Sequence, residues 1–133
     1  MSLEIIRPEG MPKPSGFSYA VAAVGRKMLF VAGQTAQDAS GRIVAPHDMV
    51  RQFECALQNV VKVLEAGGAA SNHVVKMTIF VTDVTLYREH LRPIGDVYQK
   101  YFGKHYPAMT LVEVQKLFDR DALIEIEAIA VLP

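Results

Sequence analysis

The chain has a single cysteine, Cys55, so no internal disulfide can form, and no Cys/His pairing at zinc-ligand spacing occurs. That scarcity points to a reducing, cytoplasmic setting. An excess of one charge is also missing. Fourteen Lys and Arg balance fourteen Asp and Glu, which leaves no surplus of cations to displace counterions from a phosphate backbone, and nucleic acid is a poor candidate partner. No apolar run marks a signal peptide or a membrane span, since MSLEIIRPEG is interrupted by Glu4 and Arg7. Repeats, low-complexity tracts and Pro/Gly-rich linkers are lacking too. What remains is 133 residues, 50% of them hydrophobic, enough to bury one core and too few for a second. Residues 1–133 are therefore read as one domain.

Residues 17–24 and 27–32 are two β-forming runs separated by Gly25-Arg26, which predicts a hairpin. Asp48 can cap a helix in which Phe53, Leu57, Val60, Val61 and Leu64 recur at helical spacing, until Gly67-Gly68 ends it. Residues 74–81 read as an interior strand, with Val75, Met77, Ile79 and Val81 on one face and Lys76, Thr78 and Phe80 on the other. Tyr87, Leu91, Ile94, Tyr98 and Tyr101 predict a second helix, kinked or restarted at Pro93. Two further strands are expected over residues 109–115 and 123–132. The order is ββαβαββ, an α+β mixed sheet with two helices on one face. The opposite face, carrying Leu111, Leu123, Ile129 and Val131, then needs cover, and self-association is the simplest source of it. Glu125 and Glu127 share that face.

Several segments resemble one family. Gly16-Phe17-Ser18-Tyr19-Ala20-Val21 and Leu29-Phe30-Val31-Ala32-Gly33-Gln34 are similar to the G-Y-S-Q-A-V and L-V-F-V-S-G-Q segments of the RidA (YjgF-type) family. Gln52, Asn59, the Leu64-Glu65-Ala66-Gly67-Gly68 stretch, Val75-Lys76, Phe80-Val81-Thr82-Asp83, Tyr106-Pro107-Ala108 and the closing strand continue the match, in order, from about Gly16 to Val131. The resemblance implies a chorismate-mutase-like fold, three copies of which pack sheet to sheet into a barrel-like core with ligand clefts between neighbours. It also implies cofactor-free, metal-free hydrolysis of reactive enamines and imines, such as 2-aminoacrylate, to a 2-keto acid and ammonia.

In that chemistry an arginine in a Y-P-A-R segment forks onto the substrate carboxylate. Here that position is Met109. A glutamate on the last strand positions or activates water, and its match is Glu125. The family tyrosine becomes Phe17, Ser18 is kept, Tyr19 replaces a glutamine, Ala32 replaces a serine before Gly33-Gln34, and Gly95 lies nearest to a family asparagine. The resemblance thus implies a substrate-binding set of Phe17, Ser18, Tyr19, Ala32, Gly33, Gln34, Gly95, Ala108 and Met109, with Glu125 catalytic. Arg88 and Arg92, four apart, either replace the lost charge or form a solvated basic face. Cys55, with nothing near it in sequence to favour the thiolate, reads as inert.

The expectation is a homotrimer acting on an enamine-like, imine-like or non-carboxylate metabolite in pockets between subunits, with classical 2-aminoacrylate deamination impaired. A non-catalytic metabolite-binding or regulatory module is the alternative. A ribonuclease or translation inhibitor is a second, and the absence of a Lys/Arg cluster speaks against it.

Overall fold

The computed structural model describes residues 2–133. Its strands are β1 (Ser2–Ile6), β2 (Ala20–Val24), β3 (Lys27–Gln34), β4 (Val74–Val81), β5 (Ala108–Glu113) and β6 (Ile124–Leu132), and its helices are α1 (Met49–Ala66), α2 (Val84–Glu89) and α3 (Leu91–Phe102). Four strands make a mixed sheet in the order β3-β6-β4-β5. Only β4 and β5 are parallel, and α2 and α3 supply the crossover that a parallel pair requires.

Local chemistry explains the first helix. The Asp48 carboxylate accepts the Arg51 N–H at 3.0 Å, and Met49, Gln52, Phe53, Ala56, Leu57, Val60 and Leu64 form its buried stripe. That stripe packs on Ile124, Ile126, Ala128 and Ala130 of β6, all within the core. Across the helix layer Lys100 Nζ lies 2.9 Å from Glu54 Oε2, and this pair with the Tyr101 hydroxyl holds the Glu54 carboxyl below its usual range. Lys100 is largely solvated and Glu54 partly so, and screening keeps the contribution small.

The predicted second helix is two. It breaks at His90, and α3 restarts at Leu91 with Pro93 in its first turn, where a missing N–H costs nothing. The helix layer therefore holds three α-helices rather than two. Arg88 and Arg92, on separate helices, do not share a face.

The predicted hairpin does not form. β2 pairs with β1, a strand not anticipated, in a separate two-stranded ribbon, while β3 pairs with β6. The path of β2 is set from both ends. At its start Ser18 bridges Ala108 in parallel and its N–H bonds Pro107 O at 3.0 Å; beyond its end Arg26 N–H bonds Leu132 O at 2.9 Å. The strand so runs past β4, across the end of the sheet from β5 to β6. A Cβ at Gly25 would overlap the Leu132 carbonyl, which is why glycine occupies that corner.

In β4 a bulge between Val74 and Lys76 shifts the alternation, so that Val74 rather than Val75 is fully buried with Met77, Ile79 and Val81. The helix-free face carries Lys76, Thr78 and Phe80 of β4, opposite Ile129, Glu127 and Glu125 of β6. Leu111 departs from expectation, pairing with Ile79 on the helix side, whereas Val131 keeps its place on the helix-free face opposite Met28 but is already buried against the Gly25 corner. The exposed apolar groups on the helix-free face are instead Phe30, 67% accessible, Met28 and Val112.

Candidate functional site

The expected site residues fall into two groups on opposite faces of the sheet. Met109 lies on the helix side of β5, paired with Met77, and lines a cleft of about 570 Å³ together with Phe17, Gly95, Leu111, Tyr87 and Arg92. Apolar walls dominate this cleft, among them the buried Phe53, Ile79 and Ile94 and the exposed Leu91. Tyr87 is buried and its hydroxyl is pushed up to about 12 by desolvation, so it is neutral at physiological pH. Tyr98, stacked between Phe102 at 5.0 Å and Tyr106 at 5.3 Å, is raised further for the same reason and donates to His105 O.

Glu125 stands elsewhere. It is half-buried on the helix-free face opposite Phe80, and its carboxylate lies against the backbone of Gly33. A Cβ on Gly33 would overlap Glu125 Oε2 and come within 2.8 Å of its Cδ. The close approach follows from a bulge in β3, where the pairing with β6 slips between Val31 and Gln34. Ala32 is exposed beside it, and the Gln34 amide folds back to donate to Ala32 O at 3.0 Å.

Three residues go to neither group. Ser18 is buried, and its hydroxyl donates to Tyr106 O at 2.5 Å, so it ties the segment before β2 to the segment before β5. Tyr19 donates to Pro12 O at 2.7 Å and lines a second cavity with Arg7, Lys13 and Lys104. Ala108 sits between, paired with Lys76 and bridged to Ser18. The Met109 and Glu125 groups thus open on opposite faces of the sheet and share no cleft within the chain.

The sequence alone does not distinguish Arg92 from Arg88. It lines the Met109 cleft, and Arg88 does not. Burial pushes the Cys55 thiol up, and its Sγ lies 3.8 Å from Gln37 O, which agrees with an inert cysteine. Among the described residues no group of His, Cys, Asp and Glu is placed to hold a metal ion, and no helix is long and apolar enough to cross a membrane.

The profile of the family described as Endoribonuclease L-PSP matches residues 11–132. A RutC family protein of Pyrococcus horikoshii is 38% identical over 96% of this chain and 96% of its own length. A 2-iminobutanoate/2-iminopropanoate deaminase of Capra hircus is 33% identical over 85% of this chain and 79% of its own. Among solved structures, a Rid-family protein of unknown function from Yersinia pestis superposes with a TM-score of 0.88 at 34% identity, covering 99% of this chain and all of that one.

Proposed function

The chain belongs to the RidA (YjgF-type) family, the one described as Endoribonuclease L-PSP, and on that basis we propose that it is a homotrimer whose clefts between subunits bind small enamine-like or imine-like metabolites and hydrolyse them. The observation that carries this is the division of the site: Met109, Phe17 and Gly95 open on the helix side, whereas Glu125 and Gly33 open on the uncovered face. A neighbour that covers the exposed Phe30 and Met28 would bring its own helix-side cleft to Glu125.

In such a cleft Glu125 takes a proton from water as the water oxygen adds to the C=N carbon. That proton passes to nitrogen to give a carbinolamine, and the remaining hydroxyl proton then moves to nitrogen by way of the same carboxylate as the C–N bond breaks, so that ammonia leaves and a C=O remains. The Capra hircus relative is named as a 2-iminobutanoate/2-iminopropanoate deaminase, which supports an imine as substrate. Met109 cannot fork onto a carboxylate attached to the reacting carbon, and misorientation of that kind costs about 10²-fold in rate. Ammonia release from 2-aminoacrylate should therefore be slower by about that factor than in arginine-bearing relatives. Rates equal to theirs would refute the role given to Met109.

Sedimentation velocity tests the assembly. The wild type should run as a trimer, and Phe30→Asp, which puts a charge into an apolar contact, should run as a folded monomer with unchanged circular dichroism. A wild-type monomer at micromolar concentration would end the reading of a shared cleft. The apolar character of Phe17, Ala32 and Met109 favours a second reading, in which the same cleft senses a metabolite and Glu125 only accepts a hydrogen bond.

A further inference from the structure

Arg92 occupies an unusual position for a cation. It lies in the first turn of α3, where the aligned peptide dipoles present their positive end, and that turn contains no acidic residue. His90, at the N-cap, gives the first amides no side-chain acceptor. Among the described residues the one ion pair is Lys100 with Glu54, so the Arg92 guanidinium is unpaired. Arg92 is exposed, so water rather than a protein anion solvates its guanidinium, which leaves it free to take an anion entering the cleft.

The surroundings say what kind of anion. The cleft that Arg92 borders is walled by Phe17, Met109, Leu111, Ile79 and Leu91, and its other charged lining residue is Asp96, one turn along α3. A monoanion with an apolar body satisfies both parts, the body against Met109 and Leu111 and the charge at the α3 end. Asp96 repels a second negative charge. A ligand whose carboxylate must reach Met109 itself finds only a thioether there.

We propose that Arg92 is the specificity-determining residue of this cleft, binding the anionic group of an amphiphilic monocarboxylate through its guanidinium while the apolar body packs on Met109. The assignment rests on the cleft being a ligand site, as argued above. It goes further in naming the ligand class and the residue that selects it. Arg88 has no part in it.

The experiment uses the full chain, with the methionine methyl groups ¹³C-labelled and the Met109 signal followed by NMR. Two probes of equal apolar length are titrated, octanoate and 1-octanol. Octanoate is expected to move the Met109 methyl with an affinity about tenfold or more above that of octanol. Arg92→Gln should bring octanoate down to the level of octanol and leave octanol unchanged. Arg92→Lys, which keeps the charge and loses the fork, should fall between, and Arg88→Gln should match the wild type.

Octanoate binding that is unaltered in Arg92→Gln overturns the assignment and leaves the cleft standing. If neither probe moves the Met109 methyl, the cleft reading falls together with it. Dissociation of the assembly in Arg92→Gln would make Arg92 an interface residue and also overturn it. Should Arg92→Gln fail to fold, the wild type decides by salt: octanoate affinity that does not weaken with ionic strength rules out the ion contact.

Discussion

Replacing Gln52 by leucine should lower the melting temperature by about 10 °C or more, corresponding to about 3 kcal/mol for a chain of this size. Gln52 is fully buried in α1 and makes three hydrogen bonds. Its amide donates to Ala45 O at 3.1 Å and Asp121 O at 3.0 Å, and its Oε1 accepts from Leu123 N–H at 2.8 Å. Those partners lie before α1 and before β6, so one side chain joins the helix layer to the loop that launches the central strand. Leucine fills nearly the same volume, and the loss is therefore that of the hydrogen bonds, with the Leu123 N–H and the Asp121 carbonyl left without their partner while Ala45 O keeps the Asp48 N–H. Thermal denaturation of Gln52→Leu beside the wild type measures it. A change under about 2 °C would mean that water replaces the side chain there.

The second large effect concerns chemistry and should leave stability alone. Gly33→Ala places a methyl where the Glu125 carboxylate now lies, and what it meets is the far end of a flexible side chain, free to swing aside. Gly33 is not among the glycines with positive φ, so alanine adds no backbone strain. The fold should persist while Glu125 is displaced. Turnover of imines generated by oxidising apolar amino acids should fall by about 10²-fold, the loss expected for a misplaced catalytic group. Glu125→Gln, which cannot take the proton at all, should lose about as much or more. Full ammonia release by Gly33→Ala, at an unchanged melting temperature, would show that the carboxylate position does not matter to the reaction. Unaltered ligand binding in both variants, with no turnover in the wild type, would identify the cleft as a sensor.

Features decided by neighbouring residues were legible in the sequence. Asp48 capped its helix, the stripe of Phe53, Leu57, Val60 and Leu64 faced the core, and Pro93 marked the restart of α3. The strand over residues 74–81 had the expected bounds and an interior place. Features decided at long range were not. Gly25-Arg26 has the local chemistry of a hairpin turn, yet β2 is held by Ala108 at one end and Leu132 at the other, contacts about a hundred residues away that no local pattern encodes. The bulge at Val75 reversed which valine is buried, because a single extra residue inverts the alternation.

The site divides in the same way. Phe17 and Met109 match family motifs, Gly95 is only the residue nearest to a family asparagine, and the three share a cleft. The neighbourhood of Arg92 depends on the helix break at His90, and the alternatives of a running or restarted helix led to different answers. Ser18 matched its motif, but its hydroxyl is engaged with Tyr106 O, a tie invisible until the two segments are brought together.

The sheet that separates Met109 from Glu125 also has a genetic meaning. In the trimer proposed above, each subunit would lend its helix-side half to one cleft and its open-face half to the next. A subunit damaged only at Glu125 then silences one cleft, and one damaged in both halves silences two. Two alleles broken in different halves, inert when each is expressed alone, would rebuild working clefts wherever their intact halves met in a mixed ring. A single-chain site could never be rescued in that manner.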